Sequence, residues 1–368
     1  MNNTPAFLDS KNIVHELANR VAHAPQPLRI CGNGSKCRTE EPACNTMTTR
    51  ALTGILEYEP SEFTITVWGG TLLKDLAETL SQHGQYLPFD PPHVHRGATV
   101  GGLIASGING PSRLRYGGLR DSILGVRFID GRGNVVYAGG KVVKNAAGFD
   151  LPKLLCGSWG RLGLIVEATL KVLPNPGPFQ TIVIPCSDFR EGLASHQKLL
   201  QSSVTIDGLD WDSEGCLLVR IAGSNQTRAG IRDRIFQLLQ LPIDELDSDD
   251  ALWSPIRDWH WHAEGCHLVR IPLSWRTAQP LIEWLASQRV AYRLSVAGNV
   301  LWIGWPESQP LCQLENVLEQ HRLRGRCLAG RAQGTCLGRK EGDAFSERIE
   351  TALHAKKWAS VAPSQLRP

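Results

Sequence analysis

Apolar residues recur with helical spacing over residues 9–24. Ile13, Val14, Leu17, Ala18 and Val21 fall on one face, and Ser10 is the expected N-cap. Leu28-Arg29-Ile30 predicts a short strand that runs into the turn Cys31-Gly32-Asn33-Gly34-Ser35-Lys36. Phe63–Trp68 alternates and predicts a second strand. Thr71 is the expected cap of the helix after it, which carries Leu72, Leu73, Leu76 and Leu80 and stops at Gly84. Ile123–Ile129, the turn Asp130–Asn134 and Val135–Tyr137 predict a hairpin. Asp150 is expected to cap a short helix through Leu155, closed by Gly157, and Leu164–Leu173 predicts the next strand. Pro174, Pro176 and Pro178 then interrupt the pattern and mark a domain boundary.

Beyond the prolines the pattern changes. Glu214-Gly215-Cys216-Leu217-Leu218-Val219-Arg220-Ile221 resembles Glu264-Gly265-Cys266-His267-Leu268-Val269-Arg270-Ile271, a weak internal repeat. Each copy reads as a strand followed by a helix, 228–240 in the first and 277–288 in the second. Two amphipathic strands that are alike by chance give the same pattern, so both readings stay open. Leu294–Val296 and Val300–Trp305 predict a hairpin around Gly298-Asn299, followed by a helix from Leu311 to His321. This order of elements fits an antiparallel sheet covered by helices. The acidic run Asp244–Asp250 reads as a solvated loop.

At 368 residues, two domains are expected. A hydrophobic share of 42% allows a sizeable core. The net charge of +3, without a basic run or an arginine comb, argues against nucleic acid as a partner. The ten cysteines include no CxxC, and the tightest group, Cys31, Cys37 and Cys44, lacks metal-site spacing; scattered reduced thiols of a cytosolic protein are the expected reading. The first residues contain no apolar signal core, and no apolar run reaches membrane-spanning length.

The segment from Ala98 to Gly163 carries the chemistry. Its glycines recur with small residues between them (Ala98, Thr99, Ala105, Ser106), so the backbone can approach a ligand closely. Clustered backbone N–H groups suit an anion such as a pyrophosphate. A Rossmann site is excluded, because Cys31–Lys36 is not GxGxxG between a strand and a helix. The spacing is also too short for GxxxxGK[ST].

Taken together, Pro91-Pro92-His93, Ala98-Thr99-Val100-Gly101-Gly102, the run GGKVVKNAAGFD at 139–150 and GSWGRLG at 157–163 resemble flavoproteins of the vanillyl-alcohol oxidase / p-cresol methylhydroxylase (PCMH) type. Within that group the chain looks most like the FAD-binding subunits of bacterial glycolate oxidases, most strongly over residues 28–174. The resemblance implies an α+β fold. A two-subdomain PCMH-type FAD-binding domain (1–174) would precede a smaller antiparallel-sheet-plus-helices cap domain (179–340) and a C-terminal tail (341–368). It implies that Gly32, Asn33, Gly34, Ser35 and Lys36, with Thr99, Val100, Gly101 and Gly102, face the pyrophosphate, and that Ser106 and Gly107 continue the cradle. Arg115, Tyr116, Gly117 and Asp121 would border the isoalloxazine or support its loop. Gly157, Ser158, Gly160, Gly163 and Ile165 would pack the adenine and ribose side. Cys31, Cys37, His93 and His95 lie near these segments, but none matches a flavin-attachment position, so non-covalent FAD is expected.

Oxidising a 2-hydroxy acid needs a cation for the carboxylate and a base for the hydroxyl proton. Arg113, Arg115, Arg220, Arg270 and Arg331 are candidate cations, and no catalytic residue is assigned. His260-Trp261-His262, read as a strand, puts two imidazoles on one face near His267, a weak metal pattern, and no metal is expected. The chain ends SERIETALHAKKWASVAPSQLRP, without the Asn-Pro-Gly-Arg-like segment common in the wider family, and Arg339-Lys340 read as a solvated turn. By resemblance the chain is an FAD subunit of a glycolate oxidase complex that turns glycolate into glyoxylate. Its expected partners are a homologous catalytic flavoprotein and an iron–sulfur subunit, in the cytoplasm and attached to the inner membrane only through them. Two other readings stay open: a non-catalytic assembly subunit, and a stand-alone oxidase of a small hydroxy acid or sugar.

Overall fold

In this computed structural model, residues 5–36, 45–140, 150–246, 249–339, 344–355 and 358 are described. The backbone divides into two units. One comprises Met1–Asn109, Gly117–Asn175 and Gly342–Val361, the other Gly110–Tyr116, Pro176–Glu341 and Ala362–Pro368. Two segments therefore group differently from the linear division 1–174, 179–340 and 341–368. Residues 110–116 go with the second unit, because Arg115 and Tyr116 are tied to Asp207. Most of the expected tail goes with the first, where Trp358 bridges to Leu28 and the Leu353 carbonyl accepts from Gly131 N at 3.0 Å.

The first unit starts with helix α1 (Pro5–His23) and the parallel pair β1 (Leu28–Ile30) and β2 (Asn45–Met47). α1 begins five residues before Ser10, which lies inside the helix rather than at its cap. Proline in the first turn suits that earlier start. Next come β3 (Ile55–Glu59), β4 (Thr64–Trp68), α2 (Leu73–Gln82), β5 (Gln85–Tyr86) and α3 (Val100–Ser106). Thr71 does not cap α2. Its Oγ1 accepts from Gly54 N at 3.0 Å and donates to Gly54 O at 3.1 Å, so Leu72 holds the cap position. After α4 (Arg113–Tyr116, in the second unit) come α5 (Leu119–Ser122), β6 (Ile123–Ile129), β7 (Val135–Gly139), α6 (Leu151–Leu155), β8 (Leu164–Lys171) and β9 (Leu173–Pro174).

The β6–β7 hairpin forms as expected. Asp130 Oδ1 accepts from Arg132 N at 2.8 Å and Asn134 N at 2.9 Å, which fixes its turn. Asp150 caps α6 through Lys153 N at 3.2 Å. Most of the 139–150 run lies outside the described residues. The antiparallel sheet β3-β4-β8-β6-β7 buries Ile65, Val67, Phe128 and Val166 against Leu73, Leu76, Leu80 and Leu103.

The second unit is one nine-stranded antiparallel sheet. Its elements are β10 (Phe179–Pro185), α7 (Phe189–Gln201), β11 (Gly208–Asp212), β12 (Cys216–Ala222), α8 (Asn225–Leu239), β13 (Asp244–Glu245), α9 (Asp249–Arg257), β14 (Cys266–Pro272), α10 (Trp275–Ser287), β15 (Ala291–Ser295), β16 (Val300–Pro306), α11 (Leu311–Gln320), β17 (Arg324–Ala329) and β18 (Cys336–Gly338). In the spatial order β13-β10-β12-β11-β15-β16-β14-β17-β18, the first eight strands are symmetric about the β11–β15 junction, with β18 added at one edge. Two copies of a strand-helix-strand-strand-helix-strand unit, 179–245 and 266–329, meet there.

The repeat visible in the sequence is not this one. Its first copy lies on β12, the third strand of one unit, and its second on β14, the first strand of the other. Strands that share a helix-covered face converge on the same apolar alternation, so the match is local and not a sign of equivalence.

Residues 244–250 are not one solvated loop: Asp244-Glu245 pairs with β10, and Asp249 opens α9 while holding Arg220. His260-Trp261-His262 lies in an irregular segment rather than a strand, and His262 Nδ1 sits 2.9 Å from Ala263 O. No group of three potential metal ligands occurs among the described residues.

Candidate cofactor site

The first unit contains a cleft of about 690 Å³, open to solvent. Three segments and Thr49 line it: Ile30–Lys36, the Thr99–Ser106 segment, and Trp159–Ile165.

The turn after β1 provides donors. Cys31 N continues the β1–β2 pairing by donating to Met47 O at 3.0 Å. Pairing then ceases. Among the described residues, the amides of Gly32, Asn33, Gly34 and Ser35 have no acceptor in the protein. Gly34 has φ +81°, a left-handed conformation open to glycine at little cost. The Gly32 carbonyl is fixed from the opposite side, accepting from Arg50 Nε at 3.3 Å and Thr48 Oγ1 at 3.5 Å. Because the peptide is planar, holding that carbonyl also orients the Asn33 amide. Lys36, largely buried, supplies the cleft's positive charge.

The second wall supplies space, not donors. Thr99 caps α3 by accepting from Gly102 N at 3.2 Å. Val100 N donates to Thr71 O at 3.0 Å and Gly101 N to Gly69 O at 2.7 Å. The amides of Val100, Gly101 and Gly102 are thus engaged within the protein. A Cβ on Gly101 would lie 2.9 Å from Gly69 O, and one on Gly32 would lie 2.5 Å from Thr99 Oγ1. Gly102 faces the cleft with only Thr99 Oγ1 near its missing Cβ, at 3.1 Å.

In the third wall, Gly157 N and Trp159 N donate to Ile104 O and Ala105 O at 3.0 and 2.8 Å, docking the segment on α3. A Cβ on Gly160 would lie 3.2 Å from Ile30 Cβ. The buried Ser158 Oγ has no hydrogen-bond partner among the described residues.

Of the residues singled out from the sequence, Gly32, Asn33, Gly34, Ser35, Lys36, Thr99, Gly101, Gly102, Ser106, Gly160, Gly163 and Ile165 line the cleft. Val100, Gly107, Gly157 and Ser158 stand behind this lining. Val100 is in the core, and a Cβ on Gly107 would lie 2.8 Å from Gly157 N. Gly117 and Asp121 build the start of α5, where Asp121 Oδ2 accepts from Gly118 N at 2.8 Å. Arg115 Nη1 and the Tyr116 hydroxyl both donate to Asp207 Oδ1 at 2.8 Å in the second unit, a structural pairing rather than part of the cleft wall. Thr49 and Trp159 also line the cleft. Trp159 sits inside the quoted GSWGRLG, whereas nothing near Thr49 marks it.

Unpartnered amides beside one buried cation, facing glycine-rich walls, fit an elongated phosphorylated ligand. Residues 6–139 match the family model described as an FAD binding domain. That segment is an FAD-binding domain. Over 169 residues the chain is 41% identical to glycolate oxidase subunit GlcE of Escherichia coli, covering 46% of this chain and 48% of that protein. It is 34% identical over 129 residues to glycolate oxidase subunit GlcD of Bacillus subtilis, covering 35% of this chain and 27% of that one. A D-lactate dehydrogenase of Anaerostipes hadrus is 35% identical over 141 residues, 38% of this chain and 29% of that one. The chain thus spans about half the length of GlcE and less of the others. The solved structure of alkyldihydroxyacetonephosphate synthase superposes with a TM-score of 0.64 at 15% identity, covering 96% of this chain and 74% of that one. The chain thus shares the α+β fold of that structure.

Proposed function

We propose that this chain is an FAD-bearing subunit of a complex that oxidises a small 2-hydroxy acid, with glycolate the favoured substrate and glyoxylate the product. The reading rests on one observation: the amides of Gly32–Ser35 without acceptors, in a chain 41% identical over its matched part to a glycolate oxidase subunit. Bound in this cleft, FAD would supply the acceptor for the hydride leaving the hydroxyl-bearing carbon. The chain's own part is to hold it without a covalent link. The Gly32–Ser35 amides and Lys36 would neutralise the diphosphate. Gly102, Gly160 and Gly163 would leave room for the backbone-lined path, Ser106 would continue that wall, and Ser158 would support the adenine and ribose side. Arg50 and Thr48, by fixing the Gly32 carbonyl, would keep the amides directed at the cleft.

The names GlcE and GlcD mark their bearers as subunits. A homologous flavoprotein and an iron–sulfur subunit are accordingly the partners proposed here, with the complex in the cytoplasm or at the inner membrane through them. No helix among the described residues is long and apolar enough to cross a membrane.

Co-expression with neighbouring subunits tests the reading. The purified complex should hold flavin on this chain and reduce a dye with glycolate, and Gly34→Val in this chain alone should lower both. Glycolate-driven dye reduction that is unchanged by a Gly34→Val chain lacking flavin would overturn the electron-carrying role.

A further inference from the structure

Among the described residues, Trp159 is the aromatic one in the lining of the cofactor cleft. It is half-buried, and its backbone is left-handed, with φ +55°. Gly157 and Gly160 on either side share that sign, at φ +85° and +77°, which glycine adopts at little cost. For a residue as bulky as tryptophan the conformation is strained. No helix end calls for it: α6 stops at Leu155, and its cap, Cys156, is extended. The strain is imposed from outside the segment. Gly157 N and Trp159 N are fixed by the carbonyls of Ile104 and Ala105 in α3, at 3.0 and 2.8 Å. Strain that the surroundings enforce in this way clusters at ligand sites.

The cleft has two chemically different parts. Ile30, Leu164 and Ile165 share its lining with Trp159 and are apolar. A Cβ on Gly160 would lie 3.2 Å from Ile30 Cβ, so the Trp159 segment runs against the last residue of β1. Gly32 follows Ile30 by two residues, at most about 7 Å along the chain. The apolar, aromatic part therefore adjoins the open amides of Gly32–Ser35 and the Lys36 charge. A flat ring joined through one sugar to a diphosphate matches that order.

We propose that Trp159 makes the cleft select FAD over FMN: its indole stacks on the adenine ring, and the strained backbone at this position holds it there. This role rests on the proposed placement of the diphosphate at Gly32–Ser35. An aromatic side chain under a base strengthens binding about five- to hundredfold. FMN has the isoalloxazine and a phosphate but no adenine, so Trp159 adds nothing to its affinity. ADP has the adenine and the diphosphate but no flavin.

The full chain, stripped of flavin, is titrated with FAD, FMN and ADP by calorimetry, and urea unfolding is followed on the same preparations. Wild type should bind FAD at least about tenfold more tightly than FMN. Trp159→Gly should weaken FAD and ADP about five- to hundredfold and change FMN by less than about twofold. The lost indole contact and the relieved backbone act in opposite directions on stability, so its unfolding midpoint should stay near that of wild type. Trp159→Asn, also at ease in a left-handed backbone, gives the same readout where the glycine variant fails to fold. Trp159→Phe keeps a ring and should bind FAD within about fivefold of wild type. ADP should quench part of the tryptophan emission of wild type and less of that of Trp159→Phe. FAD and FMN weakened alike in Trp159→Gly, FAD affinity in that variant within about twofold of wild type, or equal loss of FAD in Trp159→Phe and Trp159→Gly would each overturn the stack. Gly34→Val, titrated alongside, separates this from the diphosphate reading. If Gly34→Val keeps FAD while Trp159→Gly loses it, the diphosphate assignment falls and the stack stands; the reverse pattern removes the stack alone.

Discussion

The amide of Gly101 donates to the carbonyl of Gly69 at 2.7 Å, so the conspicuous glycine pair of the Ala98–Gly102 segment is divided in its work. Gly101 packs the backbone of α3 against the sheet, while Gly102 keeps the cleft open. Gly101→Ala places a Cβ 2.9 Å from Gly69 O and 3.4 Å from Ile165 O, which only a backbone shift relieves. It should lower the stability of the first unit by about 1–3 kcal/mol, the usual range for overpacking. Gly102→Val should leave the unfolding midpoint within about 1 kcal/mol of wild type, because only Thr99 Oγ1 is near, yet remove bound flavin. Urea melts alongside absorbance spectra check both. Flavin retained by Gly102→Val and lost by Gly101→Ala at unchanged stability is the opposite pattern and would refute the division.

Lys36 is expected to contribute affinity rather than fold. Charge-assisted hydrogen bonds contribute about 1.5–3 kcal/mol, so Lys36→Gln should weaken FAD binding roughly ten- to hundredfold. Fluorescence titration of the apoprotein with FAD measures this. An affinity within twofold of wild type would remove Lys36 from the diphosphate site.

The pair Arg220–Asp249 is a stability element of the second unit. Arg220 also stacks over Phe179, with its guanidinium carbon 3.9 Å from the ring centroid, and Asp249 Oδ1 accepts from Thr181 Oγ1 at 2.7 Å. Asp249→Asn strands a buried guanidinium and should cost about 3–5 kcal/mol. Arg220→Met with Asp249→Leu removes both charges and should recover much of that loss. Urea unfolding followed by tryptophan emission reads the difference; a single variant as stable as wild type would deny the pair its role.

Asp210 gives the second unit a pH signature. It is fully buried, and burial pushes its carboxyl up to about 6 despite Arg293 and the bonds from Ser295 Oγ at 2.6 Å and Val296 N at 3.1 Å. The folded state then holds the proton more tightly than the unfolded chain, whose value is about 4. The resulting stabilisation is full below pH about 4 and lost as pH rises through about 6. Asp210→Asn is uncharged at every pH. Its stability relative to wild type should therefore improve between pH 4 and 6 by up to about 1.4 kcal/mol per unit, then level off. Urea midpoints of both proteins at pH 4, 5, 6 and 7 test this, and a pH-independent difference would contradict it.

Elements whose signals are local were legible in the sequence: the β6–β7 hairpin through Asp130, the cap of α6 through Asp150, and the β15–β16 hairpin around Gly298-Asn299. Signals that depend on distant chain were not. Thr71 has the composition of a cap, but Gly54 takes its hydroxyl. Asp249 reads as part of an acidic loop until Arg220, 29 residues earlier, is found against it. The true twofold repeat of the second unit is written in topology, while the weak repeat in the sequence links β12 with β14, strands that are not equivalent. In the cleft, glycine content located the walls. Which amides are engaged and which are open depends on Gly69, Thr71, Met47 and Arg50, none of which a single sequence points to.

The decisive measurement is flavin occupancy of the folded chain with the turn altered at Gly34, where φ of +81° excludes valine. Wild-type protein should purify yellow or take up FAD on addition. Gly34→Val, with circular dichroism like that of wild type, should stay colourless in excess FAD. A folded Gly34→Val chain that binds FAD as tightly as wild type, or a folded wild-type chain that never takes it up, would contradict the assignment of the Gly32–Ser35 amides to the diphosphate.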